Sequence, residues 1–276
     1  MIIQSNLTHQ GVRGFQFGAS RWGKPRLYVY LYFVDGLLID TGQRMAQREI
    51  LKTTADLPID QIFITHHHED HSGNISAIAH QKNASTLPVL GSLACAEKMK
   101  SPPPLTWAQK LTWGSREAYA EIQPAENEIQ TPHHTFQIIP IPGHASDMVA
   151  LYEPEKKWLF SADLYINHYI SYFLHNESIA QQIESIDRVL ALDFDVMFCN
   201  HRPILKNPKD ALLKKRDFLR ESTDHVLSLH QRGLSENEIF RELKKSEDWK
   251  EDHLVKFLSG RKLSKQNMVK AILRDI

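Results

Sequence analysis

The sequence predicts an α+β fold followed by a small C-terminal helical domain, and three observations carry that expectation. Short runs rich in β-branched and aromatic residues recur from Leu27 to Phe198, punctuated by Gly, Pro and Asp. Amphipathic stretches of helical period lie between several of them. Beyond Lys206 the strand-like runs stop, and helical patterns follow one another to the end. The expected division is 1–206 for the mixed part and 207–276 for the helical part.

The elements follow in order. Residues 27–34 read as a strand that turns at Asp35-Gly36 into a second short run, 37–39, ending in Asp40-Thr41-Gly42. Residues 45–55 suit a helix, 62–64 a buried strand, 74–82 a helix and 89–90 a strand. The stretch 101–123 holds Pro102, Pro103, Pro104, Trp107 and Trp113. It reads as an irregular excursion, either a lid or a long loop anchored by its tryptophans. Residues 136–141 form a strand ending at Pro142-Gly143-His144. Residues 148–152 and 158–160 form a hairpin pair, 179–192 an amphipathic helix, and 196–198 a strand ending at Asn200-His201. In the tail, Pro208 suits a first helical position and Gly233 a helix end. Ser235 with Glu238 makes a capping box, and 254–258 and 268–273 carry further apolar helical faces.

Bulk properties narrow the function. The chain has 276 residues, 42% hydrophobic and 24% charged, enough for a packed core without crosslinks. Lys+Arg and Asp+Glu both number 33, so no broad positive field draws the chain to nucleic acid. Cys95 and Cys199 form neither a disulfide framework nor a C-x-x-C motif. Residues 1–10 do not read as a signal peptide, and no apolar run approaches the roughly 18 residues of a membrane span. The expected localisation is cytoplasmic. Fifteen histidines stand out, since histidine is the commonest protein metal ligand.

The run Thr65-His66-His67-His68-Glu69-Asp70-His71 follows a strand directly. Alternate side chains of extended chain point the same way, so His66 and His68 can reach one ion. Asp70 and His71 come next, at the turn into a helix. His67 and Glu69 fall on the opposite phase. His144, Asp163 and His201 each closely follow an apolar strand, and strand ends on one edge of a sheet converge.

The pattern H-x-H-x-D-H, then a lone His, a lone Asp and a last His, resembles the metallo-β-lactamase superfamily. Supporting matches are Leu38-Ile39-Asp40-Thr41-Gly42, Asp70-His71-Ser72-Gly73-Asn74, Pro142-Gly143-His144, Ser161-Ala162-Asp163 and Asn200-His201, together covering roughly 27–205. The resemblance implies an αββα sandwich with a dinuclear metal site. It implies one metal held by His66, His68 and His144, a second by Asp70, His71 and His201, and Asp163 bridging them. Asp40 looks like the family's carboxylate behind the histidine loop, orienting it without binding metal. Two places depart from the family pattern. Ala162 stands where glycine is usual, and Asn200 and Arg202 flank the last histidine where the family commonly has glycines. The tail resembles the winged-helix appendage of the lactamase-like β-2 group, although no wing strands are evident.

A nitrogen- and oxygen-rich site without cysteine suits two zinc ions, with manganese or iron as alternatives. The implied reaction is hydrolysis by a metal-bridging hydroxide, with Asp70 shuttling a proton to the leaving group. Tyr165, Asn167 and His168 are candidate substrate-pocket residues; ordinary packing of a strand–helix connection is the competing reading. Two substrate classes stand open: carbonyl compounds (ester, thioester, lactone or lactam) and phosphodiesters of RNA or DNA. The tail carries Lys256, Arg261, Lys262, Lys265, Lys270 and Arg274, but the remainder of the chain is not basic. The preferred partner is therefore a small carbonyl molecule.

Overall fold

The computed structural model describes residues 2–20, 23–25, 27–82, 87–170, 172–246, 249, 259 and 262–276. The chain opens with a hairpin that the sequence reading did not anticipate. Strands β1 (Ile2–His9) and β2 (Val12–Ala19) pair antiparallel around Gln10-Gly11. Most side chains of β1 are exposed, so its sequence lacks the apolar alternation that marks a strand. Next come β3 (Val29–Val34) and β4 (Leu37–Ile39), joined by the expected turn. Asp35 and Gly36 both take positive φ, 49° and 83°, as a two-residue type I′ turn requires.

Helix α1 (Gln47–Thr54) leads to β5 (Gln61–Ile64), which lies parallel to β4. The short α2 (Glu69–Ser72), α3 (Ile75–Gln81), β6 (Val89–Gly91) and α4 (Leu93–Lys100) follow. The excursion at 101–123 contains one short helix, α5 (Trp107–Thr112), closed by a capping box between Thr106 and Gln109. Strand β7 (Gln123–Pro124) completes a seven-stranded sheet ordered β1 through β7.

The second half builds β8 (Glu128–Gln130), β9 (Thr135–Pro140), β10 (Val149–Glu153), β11 (Trp158–Ala162), β12 (Phe173–Leu174), α6 (Ile179–Leu190) and β13 (Val196–Cys199). Five of these strands form a sheet ordered β13-β11-β10-β9-β8, with β10 and β11 as the expected hairpin. The tail holds α7 (Pro208–Gln231), α8 (Glu236–Leu243), β14 (Leu263–Ser264) and α9 (Gln266–Arg274). Pro208 opens α7 at its first position, and Ser235 and Glu238 form the anticipated capping box. The helical face expected at 254–258 lies outside the described residues, as do Lys256 and Arg261.

Side-chain alternation along the strands sorts the core into three layers. Tyr32, Val34, Ile39 and Phe63 of the first sheet meet Phe136, Leu151, Trp158, Phe160 and Phe198 of the second. Their neighbours Phe33, Leu38, Ile62 and Ile64 point the other way, onto Ile50 of α1, Ile78 of α3 and Met99 of α4. On the far face of the second sheet, Ala150, Leu159, Met197 and Cys199 pack with Ile186 of α6, Leu212, Leu219 and Val226 of α7, and Met268 and Ile272 of α9. The architecture is an αββα sandwich, and the tail helices share the outer layer with α6. Strand β14 makes no wing with another tail strand among the described residues; it pairs antiparallel with β12.

Candidate metal centre

The histidine run leaves β5 at the edge where β4 also ends, and Asp40 holds the two together. Its backbone takes φ 61°, a left-handed conformation that aspartate tolerates better than most residues. From there its buried carboxylate accepts the Thr65 amide at 2.9 Å, the Thr65 hydroxyl at 2.9 Å and the Asn200 side-chain amide at 2.7 Å. It also lies 2.8 Å from His71 Nδ1. One carboxylate thus fixes the start of the loop, a ring within it and the end of β13. Asn200 supplies a side-chain donor where the family commonly has glycine.

The other strand ends are shaped by local backbone. Gly143 takes φ 132°, and a Cβ there would meet the Gln182 amide nitrogen at 2.6 Å, so only glycine lets α6 approach this closely. His144 follows at once. The pairing of β11 with β13 shifts register between Phe160 and Ala162, and Ala162 takes φ 45°. That irregularity re-aims the chain just before Asp163.

Two donor sets result. The ligand atoms of His66, His68 and His144 lie within 4.8 Å of one another, and so do those of Asp70, His71, Asp163 and His201. His144 Nε2 stands 3.1 Å from His68 Nδ1. Two nitrogens sharing a tetrahedral zinc at about 2.0–2.1 Å would sit roughly 3.3–3.4 Å apart, so the observed approach fits a common ion. Asp163 Oδ2 faces both sets, 3.5 Å from His144 Nε2 and 3.3 Å from each of His71 Nε2 and His201 Nε2. Asp70 Oδ2 lies 3.5 Å from His201 Nε2.

The donors have the chemistry a cation needs. His66 Nε2 and Asp163 Oδ1 are buried without a hydrogen-bond partner among the described residues, a costly arrangement unless something positive binds there. Burial and the surrounding rings hold His66 and His68 well below the ordinary histidine range, so both present neutral nitrogens. Burial also opposes charge on His201, yet Asp163 and Asp70 raise it to about 9. His71 is likewise raised against burial by Asp163, Asp40 and Asp70. The second set is therefore a concentration of negative charge that favours a cation.

All seven residues that the sequence nominated as ligands converge here, and Asp40 lies behind them, against Thr65 and His71. The opposite-phase residues turn away. His67 Nδ1 sits 2.8 Å from Asp147 Oδ1, and Glu69 is buried beside Asp70, where burial and that neighbour push its carboxyl up to about 7. Tyr165 is buried in the apolar layer with Leu164 and Phe173. Asn167 Oδ1 accepts from the His168 amide at 2.9 Å and the Arg202 guanidinium at 3.4 Å, and His168 is exposed. The excursion reaches the site: Arg116 donates to the His67 carbonyl at 2.6 Å, and the Trp113 ring lies 6.3 Å from that of His201.

Two contributors escaped the sequence reading. Glu177 Oε1 lies 3.3 Å from His144 Nδ1, and Asp147 anchors His67. Neither sits in a histidine-rich run, and Glu177 follows only the two-residue β12, which the sequence reading did not anticipate, so three-dimensional proximity reveals them.

The metallo-beta-lactamase superfamily model matches residues 26–201, which spans β3 to the end of β13 and every nominated ligand. The chain belongs to the metallo-beta-lactamase superfamily. A hydroxyacylglutathione hydrolase of Hydrogenovibrio crunogenus is 29% identical over 146 residues, 52% of this chain and 46% of that protein. A second, from Bartonella tribocorum, is 26% identical over 199 residues, 71% of this chain and 70% of its own length. The beta-lactamase-like protein 2 homolog of Caenorhabditis elegans is 24% identical over 220 residues, covering 77% of this chain and 63% of the relative. The chain thus spans about half the length of one relative and about two thirds of the others. Among solved structures, a metallo-beta-lactamase family protein of Thermus thermophilus superposes with a TM-score of 0.68 at 17% identity, covering 96% of this chain and 93% of that one. A flavo di-iron protein mutant from Thermotoga maritima reaches 0.60 at 14% identity over 79% of this chain and 61% of its own. Such likenesses establish the superfamily fold alone, because one fold carries many chemistries.

Proposed function

We propose that this superfamily member is a metal-dependent hydrolase of small carbonyl substrates, thioesters foremost. The observation that carries the proposal is Asp163 Oδ2 facing both donor sets, with the second oxygen of that carboxylate buried and without a hydrogen-bond partner among the described residues. In this reading His66, His68 and His144 would hold one ion, Asp70, His71 and His201 would hold another, and Asp163 would contribute to both sites. An all-nitrogen-and-oxygen donor set suits zinc and accommodates manganese or iron. Bound divalent ions bring the pKa of water from about 15.7 down toward about 7 and polarise a scissile carbonyl.

The chain's own groups do the remaining work. Asp70 is assigned the proton, held on its carboxylate and delivered to the departing thiol or alcohol. Asp40, Glu177 and the Tyr28 carbonyl orient the rings of His71, His144 and His201 through Nδ1, the last at 2.7 Å. The Trp113 ring of the excursion lies beside the His201 ring, 6.3 Å between centroids.

The names of the hydroxyacylglutathione hydrolase relatives favour a thioester over a phosphodiester. So do two of the tail's described basic groups, Lys265 and Arg274, which are engaged within the fold. Lys265 is fully buried, Arg274 donates to the carbonyls of His175 and Glu177, and Lys270 lies 3.9 Å from Glu236. No described helix is long and apolar enough to cross a membrane, and we assign the activity to the cytoplasm with residues 207–276 as an appendage.

Zinc-loaded protein should be assayed against S-acyl-glutathione thioesters, a lactone, a lactam and an activated phosphodiester. The proposal expects thioester turnover to exceed the others. Preferential phosphodiester cleavage, or no hydrolysis of any carbonyl substrate by fully loaded protein, would overturn it.

A further inference from the structure

The connection from β11 to α6 starts at Asp163 and ends beside Glu177, the carboxylate that faces His144. It is mostly irregular, so its backbone carbonyls must find donors outside regular structure. The tail supplies those donors from two of its helices. Lys215 of α7 donates to the Leu164 carbonyl at 2.6 Å. Lys265, at the start of α9, donates to the Ile170 carbonyl. Asn267 donates to the Phe173 carbonyl at 3.0 Å, and Arg274 donates to the carbonyls of His175 at 3.3 Å and Glu177 at 2.5 Å. Strand β14 adds backbone pairing with β12 along the same stretch.

Lys215 and Lys265 are both buried, which is unusual for lysine and costly without compensation. The Lys265 ammonium sits over the rings of Tyr169 at 4.3 Å, Phe218 at 5.1 Å and Trp249 at 5.2 Å. Tyr169 belongs to the connection, whereas Phe218 and Trp249 belong to the tail. One ammonium therefore joins the two segments through a carbonyl and a shared aromatic surround.

We propose that the tail is a clamp that positions residues 164–170 and 172–177 beside the metal centre, with Lys265 as its principal positioning residue. Its function is to hold the connection, and through Glu177 the His144 ring, in the geometry that substrate binding needs. The kinetic part of this inference rests on the hydrolase reading above; the structural part does not.

The test uses the full-length chain and Lys265→Met, which keeps length and apolar bulk while removing the charge. A buried charge replaced by a matching apolar side chain is often tolerated or even stabilising, so the variant separates positioning from folding. Hydrogen exchange read by mass spectrometry should show the amides of 164–177 opening on the order of 10- to 100-fold faster, with β10 and β11 unchanged. For a thioester substrate, KM should rise about tenfold or more while kcat falls less, and Lys265→Arg should recover most of the loss. Arg274→Gln, on a partly exposed site, is the second variant, and its faster exchange should be confined to 173–178. Unchanged exchange of 164–177 in both variants would overturn the clamp, as would acceleration spread evenly through the core strands. If the metal-loaded wild-type chain hydrolyses no carbonyl substrate, the function proposal fails on that result, while the exchange measurement still decides the clamp.

Discussion

His67 Nδ1 lies 2.8 Å from Asp147 Oδ1, and the His67 amide donates to the other oxygen of that carboxylate at 2.8 Å. The middle histidine of the run is therefore a structural tie from the metal loop to the chain before β10. Lys98 also donates to Asp147, at 2.7 Å. Replacing His67 with Ala should leave Asp147 paired with Lys98 and the loop amide. We expect unchanged metal stoichiometry and a stability loss of roughly 1–3 kcal/mol, read by denaturant unfolding. Loss of bound metal in this variant would mean that His67 is a ligand.

Asp70→Asn separates binding from chemistry. Asparagine still offers a carbonyl oxygen to an ion but accepts no proton and brings no charge. The variant should keep part of its metal and lose about 10²–10⁴-fold in kcat. Undiminished turnover would remove Asp70 from its proposed role.

Asp40→Asn tests the carboxylate behind the loop. Asn tolerates the left-handed backbone at φ 61°, so the fold should persist. An amide cannot accept from Thr65, His71 and Asn200 together as the carboxylate does. Metal affinity, measured by competition with a chromogenic chelator, should fall about 10- to 100-fold. Unaltered affinity would show that the His71 ring is oriented by other contacts.

Acid sensitivity has a nameable contributor away from the metals. Burial works against ionisation of Asp35, but the Thr131 hydroxyl and the His133 ring and amide hold its carboxyl at about 2, below its ordinary 3.8. A depressed folded-state value means that the unfolded chain binds the proton first as pH falls. This stabilisation is present above about pH 4 and disappears as pH drops through about 2. Asp35→Asn preserves a residue suited to the type I′ turn and deletes the charge. The variant should be less stable than the parent at pH 6, with the difference shrinking between pH 4 and pH 2. A difference that does not vary with pH would show that the charge is unimportant.

Much of this was legible in the sequence for local reasons. His66, His68, Asp70 and His71 lie within six residues, and strand period alone sends His66 and His68 to one side and His67 to the other. His144, Asp163 and His201 announce themselves as lone polar ligands just after apolar strands. The parts that were not legible are non-local. Glu177 lies beside His144 across 33 residues of chain, and Asn200 acquires its role from Asp40, 160 residues away in the chain. Strand β1 hid because an exposed strand needs no apolar alternation, and the largely buried β2 is interrupted by Gly14 and Gly18. Lys265 stands in the sequence as one of several basic tail residues, yet it is buried among rings drawn from two segments.

Removal of the tail after Lys206 tests the shared layer. Ile186 and Val189 of α6 are fully buried in the same cluster as Leu212, Leu219 and Val226 of α7. Each uncovered side chain forfeits about 1.5–3 kcal/mol, against a total stability of roughly 5–15 kcal/mol for a typical domain. The truncated chain should aggregate or lose its cooperative unfolding transition. A soluble, cooperatively folded 1–206 fragment would show that the tail is dispensable for the fold.

We propose that seven side chains from four strand ends form two adjoining metal sites. Isothermal titration of chelator-treated, dialysed protein with zinc measures this most directly. The account predicts saturation at two ions per chain, with His144→Ala and His201→Ala each reducing the stoichiometry to one. No binding at all, or a stoichiometry that neither substitution changes, would contradict it.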